Sequence, residues 1–237
     1  MSIRVSVAMA VYNGERYLSE QIVSILSQLG PDDEFVLSLD PSSDESEQII
    51  RQFLKTDRRI VFVKGQGLGV IRNFENALKS TRGDYIFLSD QDDVWLPEKL
   101  SCCLEALQKE GVTAIIHDAY ITDESLQVQK ESVLGGSFHA GAFYNIVRNR
   151  YVGCCMAFKR ELLSVVLPFP SNLPMHDQWI GILANRFGIV EFIGKPLICY
   201  RRHGGTATGR ERAGWLLKLK WRVNITRQYL KRRKRHV

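Results

Sequence analysis

The first half of the chain alternates short apolar runs with segments in which apolar residues recur at helical spacing. The apolar runs predict strands at 5–11, 35–39, 59–64 and 85–88. The periodic segments predict intervening helices at 15–28, 45–55 and 70–79. Because strand and helix alternate, this pattern predicts an α/β fold with a mostly parallel, Rossmann-like sheet sandwiched by helices.

An acidic turn follows the strand predicted at 85–88. Its carboxylates are Asp90, Asp92 and Asp93. Ligands collect at the carboxyl ends of parallel strands, and crowded carboxylates repel one another unless a cation neutralises them. Hard oxygen ligands suit Mg²⁺ or Mn²⁺, so the turn predicts a divalent metal site. The alternative is a solvated turn in which Asp93 caps a helix over 96–107.

The second half of the chain is less regular. Apolar runs predict strands at 114–117, 152–158, 190–193 and 197–200. Proline-rich turns then bring Asp177 to the start of a helix over 180–187. A carboxylate is stabilised in its ionised form at a helix N-terminus, which suits a general base that acts on a hydroxyl. The alternative is that Asp177 only caps this helix.

A glycine-rich turn at 65–69 precedes the helix predicted at 70–79. It lacks the third glycine of the dinucleotide-binding fingerprint, because that position holds Val70, and this disfavours an NAD site. Flexible backbone here can pass close to a ligand, with Arg72 and Asn73 as donors to anionic oxygens. Arg72 is equally compatible with a solvated surface position.

The composition is that of an ordinary globular protein. The 237 residues are 45% hydrophobic and 24% charged, and the chain is long enough for one large α/β domain or one and a half small ones. The cysteines match neither a disulfide framework nor zinc spacing and lie at Cys102, Cys103, Cys154, Cys155 and Cys199. The N-terminal residues lack the features of a secretory signal, and no apolar run reaches the ~20 residues of a membrane span. These features predict a cytoplasmic location.

The net charge of +6 is concentrated in the tail at 210–237. Its cations outnumber a single acid, Glu211, and are Arg210, Arg212, Lys218, Lys220, Arg222, Arg227, Lys231, Arg232, Arg233, Lys234 and Arg235. Apolar residues including Trp215 and Trp221 alternate with these cations, which predicts a basic amphipathic helix on an anionic membrane surface. The alternative is that the apolar residues pack on the domain. No base-reading module accompanies the tail, so nucleic acid is not expected.

Taken in order, the motifs resemble those of the inverting glycosyltransferases of family 2, which have the GT-A fold. The resemblance covers about 2–209 and is closest to the rhamnosyltransferase-like branch. The matching segments are Ala10–Gly14, Asp40–Asp44, Gly67–Asn73, Ser89–Trp95, Gly153–Met156, His176–Trp179 and Tyr200–His203. The resemblance divides the chain into a catalytic domain at 1–209 and the tail at 210–237. Within the domain it implies a nucleotide-sugar half at about 1–110 and an acceptor half at about 111–209.

This resemblance implies a role for each matching residue. The nucleotide sugar would be bound by Ala10, Tyr12, Asn13, Asp40, Arg72, Asp90, Asp92 and Arg202. The ligands of Mn²⁺ or Mg²⁺ would be Asp92, Asp90 and His203, and Asp177 would be the catalytic base. The acceptor would meet Trp179, Gln178 and Met156. Two positions depart from the family pattern: Leu39 replaces an acid, and Gln178 replaces an aromatic residue.

The resemblance implies metal-dependent transfer of a sugar from a UDP- or dTDP-sugar to a hydroxyl of a glycan or lipid-linked acceptor, in surface polysaccharide synthesis. The enzyme would then work in the cytoplasm, at the inner face of the cell membrane. Two alternatives stay open. One is a nucleotidylyltransferase, although the loop at 13–16 is short and weakly basic for that class. The other is a non-catalytic module that binds a polyanion or a nucleotide.

Overall fold

The computed structural model describes residues 4–204 and 214–232. Within these ranges the strands are β1 Val5–Val11, β2 Glu34–Leu39, β3 Ile60–Lys64, β4 Tyr85–Ser89, β5 Val94–Trp95, β6 Val112–Thr122, β7 Val128–Lys130, β8 Met156–Lys159 and β9 Ile189–Arg201. The α-helices are α1 Glu15–Leu26, α2 Ser46–Thr56, α3 Val70–Lys79, α4 Lys99–Leu107, α5 Ala142–Val147, α6 Leu163–Val166, α7 His176–Phe187 and α8 Trp215–Lys231. Short 3-10 helices lie at Gly153–Cys155 and Arg160–Leu162.

The strands form one sheet in the order β3-β2-β1-β4-β8-β6-β9-β5, with β7 paired to β6. The pairs β1/β2, β2/β3, β1/β4 and β6/β9 are parallel. The pairs β4/β8, β6/β8, β5/β9 and β6/β7 are antiparallel. The predicted α/β fold, with helices flanking a largely parallel sheet, is confirmed.

The central strands are apolar on both faces because helices cover both sides of the sheet. Val7, Val36 and Phe87 are fully buried in β1, β2 and β4. Truncating Phe87 to alanine would typically cost about 3–5 kcal/mol. This rigid core fixes the carboxyl ends of β1, β2 and β4 along one edge, where the polar motifs begin.

Several elements differ from the sequence prediction. The strands predicted at 190–193 and 197–200 form one strand, β9. This strand continues without a break, although its register against β6 shifts along its length. The strand predicted at 152–158 begins with a 3-10 turn, and only Met156–Lys159 enters the sheet. The helix predicted at 96–107 begins at Lys99, because Val94–Trp95 first pairs with β9.

The predicted C-terminal helix is present as α8 and packs near α5 and α7. The cations at 210, 212 and 233–235 lie outside the described residues. Within 4–204 and 214–232, no helix is long and apolar enough to cross a membrane.

Candidate active site

The ends of β1 and β4 are joined through the side chain of Gln91. Its Oε1 accepts a hydrogen bond from the Tyr12 amide at 2.8 Å, and its Nε2 donates to the Tyr12 carbonyl at 2.9 Å. A Cβ at Gly14 would lie 2.6 Å from Gln91 Oε1, so a larger residue there would displace the Gln91 side chain from Tyr12. Tyr12 is 59% exposed, and its ring is therefore available to a planar ligand.

The loops after β1, β2 and β3 are tied together by polar side chains. Asp40 is buried, and its Oδ1 accepts a hydrogen bond from the Gly67 amide at 3.0 Å. Asn13 has a positive φ of 45° and accepts from the Ser43 amide at 2.9 Å. Ala10 is half-buried beside this junction, in register with β2. These contacts bring Ala10, Tyr12, Asn13 and Asp40 together at one edge of the sheet.

The buried Arg201 holds the acidic turn in place. Sequence analysis did not predict this contact. The Arg201 amide donates to Asp93 Oδ1 at 3.1 Å, and its Nε donates to the Asp92 carbonyl at 2.9 Å. Its guanidinium pairs with Glu20 and lies 4.4 Å from the centre of the Tyr17 ring. An enclosed cation of this kind stabilises the nearby carboxylates.

The Asp92 carboxylate meets the His203 imidazole at the mouth of the site. Their Oδ2 and Nε2 atoms are 2.8 Å apart. The His203 ring also packs against Tyr17, with ring centres 4.8 Å apart. A carboxylate oxygen and an imidazole nitrogen are both ligand atoms for Mn²⁺, so this donor pair fits a divalent metal.

A second group of donor atoms lies deeper in the site. Within the described residues, Asp90, Asp93 and Cys154 offer ligand atoms that lie within 4.8 Å of one another. Burial, followed by the charges of Asp92 and Asp177, raises the pKa of Asp90 to about 7. Burial and the neighbouring carboxylates raise the pKa of Asp93 well above its usual value. Crowded carboxylates with raised pKa values are the electrostatic setting that a bound cation would relieve.

A fully buried lysine lies behind the acidic turn. Lys99 Nζ donates to the Cys154 carbonyl at 2.8 Å and lies 4.1 Å from the centre of the Trp95 ring. Burial lowers the pKa of this ammonium group. The interpretation of Asp93 as a solvated helix cap is wrong, because Asp93 is fully buried and Glu98 precedes the first residue of α4.

Asp177 lies in the first turn of α7 and is almost completely buried. Its Oδ1 accepts hydrogen bonds from the Gln178 amide at 2.5 Å and from Asn149 Nδ2 at 3.5 Å. Burial raises the pKa of Asp177 to about 6. The helix cap is Met175, so the alternative in which Asp177 is only the N-cap is wrong. A carboxylate with a pKa near neutrality is suited to general-base catalysis.

Arg72 braces the segment that leads to α7. Its Nη1 donates to the Phe169 carbonyl at 3.0 Å and pairs with Glu75. Its predicted contact with the nucleotide sugar stays a prediction. The role predicted for Asn73 as a donor to anionic oxygens is wrong, because its side-chain Nδ2 donates to the backbone carbonyls of Val11 and Ser38 at 3.1 and 2.9 Å.

The residues predicted to contact the acceptor lie behind the cleft surface. Trp179 is fully buried, and its Nε1 donates to the Val166 carbonyl at 3.0 Å. Gln178 Nε2 donates to the Asn145 carbonyl at 2.6 Å, and Met156 is fully buried in β8. Their acceptor contacts stay predictions. Arg202 is exposed, and its guanidinium lies 4.9 Å from the centre of the Tyr200 ring.

This sheet, with an acidic turn at the end of β4 and a carboxylate in the first turn of α7, has the arrangement of the GT-A fold. The chain belongs to glycosyl transferase family 2, whose sequence model matches residues 6–167. An uncharacterized glycosyltransferase of Methanocaldococcus jannaschii is 36% identical over 199 residues, covering 79% of this chain and 68% of that protein. The dTDP-rhamnosyl transferase RfbG of Shigella flexneri is 25% identical over 217 residues, covering 85% of this chain and 73% of that protein.

Two solved structures share the fold at low sequence identity. TarS 1–349 of S. aureus, in complex with UDP-GlcNAc, has a TM-score of 0.74 at 16% identity and covers 97% of this chain and 67% of its own. The mannosyltransferase PcManGT of Pyrobaculum calidifontis, in complex with GDP-Man and Mn²⁺, has a TM-score of 0.63 at 20% identity. Its alignment covers 88% of this chain and 59% of its own. The GT-A fold expected from the motifs is therefore confirmed.

Proposed function

We propose that this chain is a metal-dependent inverting glycosyltransferase that uses a nucleoside-diphosphate sugar. The observation that carries the proposal is that the 3-10 turn Gly153–Cys155 touches both Asp177 and the acidic turn. A Cβ at Gly153 would lie 3.5 Å from Asp177 Cβ, and Cys154 offers a ligand atom within 4.8 Å of those of Asp90 and Asp93. One carboxylate suited to act as a base thus lies beside a group of carboxylates suited to hold a metal. A module that only binds a nucleotide has no need of a catalytic base.

The donor would lie along the sheet edge formed by Tyr12, Asp40 and the acidic turn. The exposed Tyr12 ring suits a nucleobase, and the Asp40 carboxylate suits a ribose hydroxyl. Asp92 and His203, with Asp90 behind them, would hold Mn²⁺ or Mg²⁺. When bound, the metal would neutralise charge on the diphosphate. Arg202, at the end of β9, would add a second cation near the leaving group.

Asp177 would accept the proton of the acceptor hydroxyl. The acceptor oxygen would then form a bond to the anomeric carbon as the bond from that carbon to the diphosphate oxygen breaks. The electron pair of the broken bond leaves with the nucleoside diphosphate, and the proton stays on Asp177. A single displacement of this kind inverts the anomeric configuration and requires no covalent intermediate.

We infer that the donor is a UDP- or dTDP-sugar and that the acceptor is a glycan or lipid-linked hydroxyl in surface polysaccharide synthesis. The similarity to a dTDP-rhamnosyl transferase supports a deoxyhexose or hexose donor. The enzyme would work in the cytoplasm, at the inner face of the cell membrane. Trp179, Gln178 and Met156 would shape the acceptor side from beneath the surface.

The test is a panel of UDP-, dTDP- and GDP-sugars incubated with the protein and Mn²⁺, with release of nucleoside diphosphate as the readout. A glycosyltransferase slowly hydrolyses its donor when water replaces the acceptor, so one donor should give release that EDTA abolishes. Pyrophosphate release from a nucleoside triphosphate and a sugar phosphate would instead favour a nucleotidylyltransferase. Binding of a nucleotide without turnover of any donor would favour a binding module.

A further inference from the structure

Helix α8 carries two apolar stripes, and the domain uses one of them. Trp221, Ile225 and Tyr229 recur at four-residue spacing on the side that faces the domain. Ile225 is 1% exposed, and the Tyr229 ring lies 6.1 Å from the Phe143 ring of α5. This inner stripe accounts for the attachment of the helix to the domain.

The second stripe faces away from the domain. We define the outer stripe as Trp215, Leu219, Val223 and Leu230, which are 74%, 49%, 43% and 61% exposed. At about 100° per residue, its first three members lie about 120° around the helix from the inner stripe. A contiguous exposed apolar surface of this kind marks an interaction site.

The charge around the outer stripe identifies its partner. Helix α8 contains no acidic residue, and its cations are Lys218, Lys220, Arg222, Arg227 and Lys231. Lys220 and Arg227 are exposed along one border of the stripe. Arg222, at the other border, donates to the Val147 carbonyl of α5 at 2.8 Å. A second copy of the chain would bring the same cations together, whereas anionic lipid headgroups would neutralise them.

We propose that the outer stripe is a membrane-binding surface that lies in the headgroup region of an anionic bilayer. Trp215 sits at headgroup depth, the aliphatic residues reach the acyl boundary, and the bordering cations contact lipid phosphates. The proposal deepens the proposed function and rests on it for its purpose, because a lipid-linked acceptor is presented at the same surface.

The test is co-sedimentation of the full chain with vesicles of phosphatidylcholine alone or mixed with phosphatidylglycerol. The wild type should pellet with the anionic vesicles at low salt and be released by high salt. Trp215→Glu/Leu219→Glu should lose this binding, because it replaces two apolar side chains of the outer stripe with carboxylates that anionic lipid repels. Both side chains are exposed, so their replacement leaves the core intact. Lys220→Gln/Arg227→Gln should lower the partition coefficient roughly 25-fold, about fivefold for each cation. Val23→Glu, at a 55% exposed position of α1, is the matched control and should bind like the wild type.

Equal pelleting of the wild type and Trp215→Glu/Leu219→Glu would overturn the proposal, as would binding to neutral vesicles that salt does not affect. Sedimentation that reveals a dimer lost in this variant, without vesicle binding, would identify a second copy as the partner. Donor binding is measured on the same variants by thermal shift and should not change. Absence of donor binding in every protein, with vesicle binding intact, would refute the proposed function and leave the membrane surface standing.

Discussion

His203 Nε2 lies 2.8 Å from Asp92 Oδ2, although the two residues are 111 positions apart in the chain. The contact joins the end of β9 to the turn that follows β4. It depends on the buried Arg201, which precedes His203 by two positions and binds the backbone of the acidic turn. The last strand of the sheet therefore completes a site whose carboxylates come from the first half of the chain.

We expect His203→Ala to weaken Mn²⁺ binding. A lost imidazole ligand should cost at least about tenfold in affinity, the scale seen for removing even an outer-shell partner of a metal. Isothermal titration calorimetry with Mn²⁺ measures this directly. His139→Ala, at an exposed position, is the control. Equal Mn²⁺ affinity in wild type and His203→Ala would remove His203 from the metal site.

Asp177→Asn should abolish most transfer while donor binding is retained. Loss of a general base typically lowers the rate by ~10² to 10⁴-fold. Turnover and donor affinity are measured on the same preparation, with the exposed Asp32→Asn variant as the control. A variant with nearly wild-type turnover would show that another group accepts the proton.

The pH dependence of transfer should report Asp177. Because the base acts as a carboxylate and burial raises its pKa to about 6, the carboxylate fraction falls tenfold per pH unit below that value. We therefore expect kcat/KM to be level above about pH 7 and to decline below about pH 6. A pH profile measured at fixed Mn²⁺ occupancy checks this. An acid limb with its midpoint near the ordinary value of about 4 would contradict the burial effect.

The acidic turn was predictable because an apolar run ends abruptly at Asp90. Asp177 was predictable because it follows proline-rich turns at the start of a helical pattern. Lys99 and Arg201 were not, because a charged residue beside a turn is normally solvated. Only the tertiary structure, in which β9 pairs with β5 and β6, places Arg201 under the turn. The single strand β9 was also missed, since a register shift inside a strand resembles a break in the sequence pattern.

Stability should depend on pH through His176. This buried ring stacks on Phe74 with centres 4.0 Å apart, and burial lowers its pKa to about 3. The unfolded chain binds a proton near pH 6.5 and the folded chain does not, so His176 destabilises the fold progressively as pH falls below 6.5. From pH 7 to pH 5 this effect amounts to about 2 kcal/mol.

Urea unfolding of wild type and His176→Phe at pH 7 and pH 5 measures this contribution. Asp90 and Asp177 have raised pKa values and act in the opposite direction, so the difference between the two proteins is the informative quantity. It should move in favour of His176→Phe by about 2 kcal/mol at pH 5. His139→Ala should track the wild type at both values. A difference that is independent of pH would show that His176 titrates normally in the folded protein.

The central claim is that a nucleotide sugar binds through a metal held at the acidic turn, and a thermal-shift panel tests it most directly. Wild type and Asp92→Asn are heated with UDP- and dTDP-sugars, each with and without Mn²⁺. Ligand that binds only the folded state raises Tm by mass action, by an amount equivalent to about 2.7 kcal/mol at a hundredfold excess over Kd. We predict a rise for at least one donor that requires Mn²⁺ and is lost in Asp92→Asn. No rise for any donor, or a rise that is equal without Mn²⁺ and in Asp92→Asn, would contradict the claim.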